Sequence, residues 1–192
     1  MKEGRRLIVS GEIDSGKSSL CSAIVKSSRA RGWEVAGLVS HAVVQAGEKV
    51  GFEAERLRSG ERRVLALRPS AGVPSDGPAT KGWRFDGAVL AWCNQGLEQA
   101  TPCDLLVVDE LGPLEWVRGE GLQAGLQAVD GAQFRLALIV VRLWLVPRAI
   151  ERWPDASVVR LESPDQVAPL SDSLLKWIGR GLPWPFSSGI DG

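Results

Sequence analysis

The segment Gly11-Glu12-Ile13-Asp14-Ser15-Gly16-Lys17-Ser18 constrains this chain more than any other stretch. Its two glycines let the backbone curl until successive N–H groups face one anion, and the Lys-Ser pair that follows completes a phosphate-binding loop. Such a loop has to be delivered by a strand and drawn off by a helix, and the flanks supply both. Leu7-Ile8-Val9 forms the apolar heart of a short buried strand from Arg5 to Ser10. Lys17 to about Arg31 carries Leu20, Ala23 and Ile24 at helical spacing and is closed by Gly32. The start of that helix adds its positive dipole end to the loop. In this geometry Lys17 reaches the β- and γ-phosphates, and the Ser18 hydroxyl sits on Mg²⁺. The expected ligand is therefore a nucleoside triphosphate, ATP, GTP or another base, with Mg²⁺ as co-ligand. Its contacts spread over Gly11, Glu12, Ile13, Asp14, Ser15, Gly16, Lys17, Ser18 and Ser19. Asp14 stands out, because an inward carboxylate would repel phosphate; Asp tolerates left-handed backbone, so it is expected to face outward.

A triphosphate site needs a second acidic element. Leu105-Leu106-Val107-Val108 reads as a buried strand ending in Asp109-Glu110. Asp109 is expected to hold a Mg²⁺-bound water, as Walker-B aspartates do. Glu110 is placed to polarise the attacking water as general base, within hydrogen-bond reach. Lys17 and Glu110 are thus the candidate catalytic residues, and Ser18 and Asp109 the candidate metal ligands.

The rest of the chain fits around this pair. Glu34–Val44 reads as a strand. Val50–Leu57 and Arg62–Leu67 flank a Ser-Gly turn as a β-hairpin. Arg68–Thr80, with three prolines and two glycines, reads as a functional or mobile loop. Asp86 to about Ala100 and Gly119–Asp130 have helical periodicity. Leu136–Val141 is a strand, Pro147–Arg152 a short helix, Ser157–Leu161 a last strand and Ser171–Ile178 a terminal helix, with an irregular tail from Gly179. Strand and helix alternate, which predicts an α/β three-layer sandwich on a mostly parallel sheet with an inserted hairpin. One domain over 1–180 is expected, followed by a C-terminal tail over 181–192.

Composition narrows the partners. Lys+Arg and Asp+Glu balance at 23 each, so no global field draws the chain to nucleic acid or anionic lipid. No apolar run approaches the roughly 20 residues of a membrane span, and Leu7–Val9 is too short for a secretory core. Cys21, Cys93 and Cys103 lack disulfide or zinc spacing, and His41 is the sole histidine. A cytoplasmic monomer is expected, with no nucleic-acid partner and a protein partner left open.

Several motifs then carry a resemblance. They are the loop, Gly37-Leu38-Val39-Ser40, Gly47-x-Lys49-Val50-Gly51-Phe52, and above all Val107-Val108-Asp109-Glu110-Leu111-Gly112-Pro113-Leu114-Glu115. In this order, over residues 5 to about 160, they resemble the small P-loop nucleoside-triphosphatases, the family of the cancer-related nucleoside-triphosphatase and its archaeal and bacterial relatives. The resemblance implies a RecA-like P-loop fold and slow, base-tolerant, Mg²⁺-dependent hydrolysis of NTP to NDP and phosphate. It makes Glu110 the water-activating carboxylate and places the acid Glu115 near the site. The chain departs from that pattern at Asp14, where relatives carry glycine, and at Ala42 and Val44, where they carry an acid and an arginine. It also lacks their Asn-Arg pair at Glu162-Ser163-Pro164-Asp165. Leu114-Glu115 through Gly121-Leu122 also resembles a sister group of uncharacterised nucleotide-binding proteins, some without the catalytic acids; both acids are present here.

Arg56, Arg58, Arg62 and Arg63 on the hairpin are expected to be solvated and offset by Glu53, Glu55 and Glu61. Arg68, Arg118, Arg142 and Arg148 are the positions from which an arginine could reach a transferring phosphate. Trp116 and Trp144 follow strands near the ligand edge, where either could stack on a base, but core filling is the expected role; Trp184 is either an exposed docking residue or a cover for the sheet edge. Two other functions remain in competition: a nucleotide-dependent switch read by a partner at 68–80, and a small-molecule kinase. The kinase trails because 68–80 lacks the arginines of a lid.

Overall fold

The computed structural model describes residues 4–69, 76–180 and 184–186. In chain order the strands are β1 (Arg5–Gly11), β2 (Val35–Gln45), β3 (Glu48–Arg56), β4 (Arg62–Leu67), β5 (Arg84–Phe85), β6 (Leu105–Leu111), β7 (Leu136–Val141) and β8 (Ser157–Leu161). The helices are α1 (Lys17–Ala30), α2 (Gly87–Glu98), α3 (Gln123–Asp130), α4 (Val146–Arg152) and α5 (Val167–Arg180). All eight strands form one sheet in the order β5-β4-β3-β2-β6-β7-β1-β8. Strands β2, β6, β7, β1 and β8 are parallel, and β3 to β5 continue antiparallel from β2.

Helices cover both faces, so the parallel strands are apolar throughout rather than alternating. One face of β1, β6 and β7 sends Leu7, Val9, Leu105, Val107, Leu136 and Leu138 against Leu20 and Ile24 of α1 and Leu174 of α5. The other sends Ile8, Leu106, Val108 and Ile139 into a core shared with α2, α3 and α4. Full burial of each such side chain contributes about 1.5–3 kcal/mol, which makes this block of strands the rigid floor under the loop at Gly11.

The expected hairpin is present, inserted between β2 and α2 as a continuation of the sheet. β2 runs through Gln45 and turns at Ala46-Gly47, both left-handed (φ 49° and 82°), straight into β3. Two positive φ values in a two-residue turn match the twist of the flanking strands. The segment β2–β5 is therefore an antiparallel extension of the same sheet. Other boundaries shift as well. Leu114–Arg118 forms a π-type turn, so α3 starts only at Gln123, and α5 begins a turn early at Val167 and runs to Arg180, past the expected break at Gly179. Within the expected loop at 68–80, positions 70–75 lie outside the described residues, and Thr80 N–H donates to Trp83 O at 2.9 Å just before β5.

Trp184 proves to be a cover. Its Nε1 donates to Ser157 Oγ at 2.9 Å, and its ring packs edge-on to Trp177 and Phe186 at centroid distances of 4.9 and 5.1 Å. The hairpin arginines divide by role. Arg62 and Arg63 pair with Glu55 and Glu61 at 2.7 Å, as expected. Arg56 and Arg63 also lie over the Trp92 ring of α2, at 4.2 and 4.7 Å. Arg58 donates to Gln99 O and Pro102 O and pairs with Glu34. These contacts fasten the antiparallel extension to its neighbours, where solvated charges were expected.

Candidate active site

β1 is buried from Leu7 to Gly11 and hands the chain to the loop at the carboxyl edge of the sheet. Ser10 Oγ donates to Val141 O at 2.9 Å and so locks the ends of β1 and β7 level. Gly11 has φ 150° and Gly16 φ 98°; a Cβ on Gly11 would meet Leu161 O at 2.2 Å and one on Gly16 would meet Val167 Cγ2 at 2.6 Å. Only glycine fits either position. Asp14 is left-handed (φ 62°) and exposed, as the sequence led us to expect, and Glu12 and Ile13 are exposed beside it. Ser15 is buried.

α1 opens with no side-chain cap and no acid in its first turn. Its first N–H groups are thus open to an anion, and the helix dipole favours one there. The Lys17 ammonium lies across the loop, donating to Gly11 O at 2.9 Å, to Glu12 O and, at 3.4 Å, to Ser15 Oγ. Ser18 and Ser19 are exposed at the same helix start.

β6 departs from the expected form in an informative way. It does not stop at Val108 but continues to Leu111, with a register break against β7 between Val108 and Leu111. Glu110 takes a left-handed backbone (φ 64°) at that bulge. The extra residue resets strand parity, so that Val108 and Leu111 both enter the α2/α3 core. Asp109 is 1% exposed, whereas Glu110 is exposed. A non-glycine residue held at positive φ is strained, and such strain collects at functional positions.

Asp109 Oδ2 accepts the Ser40 N–H from β2 at 3.0 Å, while Oδ1 is buried with no hydrogen-bond partner. Burial pushes this carboxyl up to about 7 and the Glu110 charge adds to the rise, opposed by the Ser40 N–H and by Lys17 and Lys49. A buried carboxylate with one unpartnered oxygen at the sheet edge has the chemistry to hold a cation. Among the described residues no group of three or more His, Cys, Asp or Glu could hold a metal. A divalent ion at Asp109 would have to take its other ligands from a hydroxyl, phosphate oxygens and water. That is the way Mg²⁺ is usually held, and the donors present fit it.

Next to the two acids a cavity of about 50 Å³ is lined by Asp109, Glu110, Thr80, Arg142 and the aromatic wall of Phe52, Trp83 and Phe85. It has room for a water beside Glu110. Glu115 borders the same cavity but is fixed in a brace: Oε2 accepts Gly112 N–H and Oε1 accepts Leu122 N–H, both at 2.8 Å. It is 8% exposed, and burial raises its pKa. It shapes the turn after β6 and has no oxygen free for the reaction.

The four candidate arginines separate cleanly. Arg118 donates to Ala79 O and pairs with Glu120, Arg148 donates to Trp116 O, and Arg68 lies 5.9 Å over the Trp83 ring. The Arg142 side chain alone of the four has no hydrogen bond, ion pair or ring contact among the described residues. It is exposed at the end of β7, between β1 and β6, and lines the cavity with Asp109 and Glu110. Of the two tryptophans expected in the core, Trp116 packs on Trp153 at 5.5 Å, but Trp144 is 61% exposed at the same edge of the sheet. Two contributors escaped the sequence reading: the Ser40 N–H, and the Lys49 charge from β3. Both had a signal: Ser40 ends the Gly37–Ser40 stretch beside β6, and Lys49 belongs to the Gly47–Phe52 motif.

Comparison with known proteins agrees with this geometry. A family model described as NTPase matches residues 6–163. The nucleoside-triphosphatase THEP1 of Thermococcus kodakarensis is 26% identical over 138 residues, covering 70% of this chain and 75% of that protein. THEP1 of Pyrobaculum aerophilum is 34% identical over 125 residues (63% and 67%), and THEP1 of Methanopyrus kandleri is 26% identical over 164 residues (84% and 83%). Among solved structures, the solution structure of a human cancer-related nucleoside triphosphatase superposes with a TM-score of 0.67 at 20% identity, over 92% of this chain and 98% of that one. The α/β fold is thus that of a P-loop NTPase, and with its match running from β1 past β8 the chain belongs to the NTPase family.

Proposed function

We propose that this chain hydrolyses nucleoside triphosphates to the diphosphate and phosphate with Mg²⁺, at the carboxyl edge of β1 and β6. The observation that carries the reading is the pairing of an uncapped α1 start with the bulge that buries Asp109 and exposes Glu110. The phosphates lie in the loop Gly11–Ser18, against the first N–H groups of α1. Lys17 leaves the carbonyls of Gly11 and Glu12 for the β- and γ-oxygens, exchanging dipoles for full negative charge. Ser18 and Asp109 would hold Mg²⁺, which neutralises charge gathering on the phosphate oxygens. Glu110 accepts a proton from a water in the neighbouring cavity, and that water's oxygen attacks the γ-phosphorus as the bridging oxygen departs with the diphosphate. Arg142 swings from solvent onto the γ-oxygens as charge moves there, the task of an arginine supplied within the same chain.

The supporting context is consistent. No helix among the described residues is long and apolar enough to cross a membrane. We assign a cytoplasmic setting, a monomer, one domain over 1–180 with a tail over 181–192, and tolerance of several bases with slow turnover. Phosphate release with ATP, GTP, CTP and UTP, for the wild type and Glu110→Gln, tests the reading. Turnover with all four, lost in the variant while binding persists, is expected. Tight binding without turnover would instead make the chain a switch, and phosphate transfer only on adding a second substrate would make it a kinase.

A further inference from the structure

The antiparallel extension leaves a groove that the nucleotide site does not use. α1 covers the parallel strands and α5 flanks it, so among the described residues no helix lies over β3 and β4 on the α1 face. Between the flank of α1 and strands β2–β4 a cavity of about 330 Å³ opens, lined by Ser22, Val25, Lys26, Arg29, Val39, His41, Glu55, Leu57 and Arg62. That is space for roughly ten water molecules, the size of a small metabolite.

The lining is charged and one-sided. Lys26, Arg29 and Arg62 bring three fixed positive charges, and His41 brings an imidazole, against the single carboxylate of Glu55. Glu55 and Arg62 are engaged with each other: Glu55 Oε2 accepts from Arg62 Nε at 2.9 Å and Nη2 at 2.7 Å, and meets His41 Nε2 at 2.8 Å. Glu53, opposite His41 in the β2–β3 register, is the other acid nearby and does not line the cavity. Lys26 and Arg29 keep unused donors, and Arg62 keeps Nη1. The Lys26 side chain makes no hydrogen bond or ion pair among the described residues, and Arg29 is anchored through one nitrogen, Nη2, to Leu57 O. They also come from opposite walls, Lys26 and Arg29 from α1 and Arg62 from β4. A carboxylate is satisfied by one guanidinium fork, whereas donors converging from two sides suit a tetrahedral oxyanion.

We propose that this groove is a second ligand site, for a small molecule bearing a phosphate monoester. It is separate from the nucleotide loop but shares its helix: Ser22 lies one turn beyond Ser18 on α1. The occupant would bridge α1 to β4, joining the helix that carries the loop to the strands that carry Ser40.

The experiment uses a convenience of the chain, in which His41 is the only histidine. Inorganic phosphate, with acetate as the carboxylate control, is titrated at constant pH and ionic strength into the full chain while the imidazole NMR signals are followed. The same titration is run on Lys17→Ala, which disables the nucleotide loop. A saturable shift with phosphate, retained in Lys17→Ala and weakened at least tenfold in Lys26→Glu and Arg62→Ala, is expected. Lys26 is exposed on α1, so Lys26→Glu leaves a folded protein even where Arg62→Ala fails. A shift that vanishes in Lys17→Ala, survives in Lys26→Glu, matches that of acetate or never saturates would overturn the assignment.

Discussion

Gly119 and Gly121 offer a matched pair that isolates the Glu115 brace. Both are left-handed, at φ 65° and 73°, two residues apart in the same turn. Alanine at either position incurs the left-handed penalty of about 1–2 kcal/mol. At Gly119 the added Cβ meets nothing within 4 Å, so Gly119→Ala should stop there. At Gly121 the Cβ would stand 2.0 Å from Glu115 Oε1. Relief requires the carboxylate to move, and Oε1 then gives up the Leu122 N–H, with the Gly112 N–H at risk on the other oxygen. A buried donor left without an acceptor costs about 1–3 kcal/mol. Gly121→Ala should therefore cost about 3 kcal/mol in all, roughly twice the loss in Gly119→Ala. Urea unfolding of both variants, read at the midpoint with unchanged slope, measures the difference. Turnover should drop only in Gly121→Ala, because the brace holds the turn that follows Glu110. Equal losses of stability in the two variants would refute the brace.

Other expectations follow from the same coordinates. Lys17→Ala should weaken triphosphate binding far more than nucleoside binding, as titration calorimetry would show; equal loss would contradict the phosphate role. Arg142→Ala should lower kcat roughly a hundredfold with little change in KM, while Arg118→Ala, whose guanidinium is spent on Ala79 O and Glu120, should leave kcat near the wild type. Similar kcat values for the two variants would remove Arg142 from the site. Burial pushes the Cys93 and Cys103 thiols up to about 12 and Cys21 well above its ordinary value. Because the thiolate is the reactive form, alkylation of the native protein at pH 8 should run roughly a thousandfold slower than after unfolding. A fast-reacting native thiol would show that one of these side chains is open to solvent.

The sequence disclosed the loop and most elements because their signals are local. Two glycines, a lysine and a serine are enough to specify the phosphate cradle, and Leu136–Val141 is so apolar that a buried strand is its only economical form. What stayed hidden depends on neighbours far along the chain. The bulge at Glu110 follows from the packing of Leu111 beside Val108, which no alternation pattern discloses. The Ala46-Gly47 turn was missed because Val43 and Val44 continue the strand pattern up to it, and only the pairing with β3 reveals the reversal. Arg142 could not be told from Arg118 or Arg148 until the carbonyls that occupy those two were in place. Trp144 was expected inside on bulk alone, yet the turn after β7 presents it to solvent.

The position of β1 also bears on how the protein comes into being. It precedes both its neighbours by most of the chain: Arg5 pairs with Leu136 of β7, and Leu7 with Ser157 of β8. Contacts of such long span form late, because closing the intervening chain is entropically expensive. On the ribosome, residues 5–18 emerge before positions 136–161 and have no flanking strands until these follow. A nascent chain halted after α3 would display the whole motif and grip no nucleotide. With the proposed function, nucleotide capture would require the far strands to have closed around the one that carries the loop.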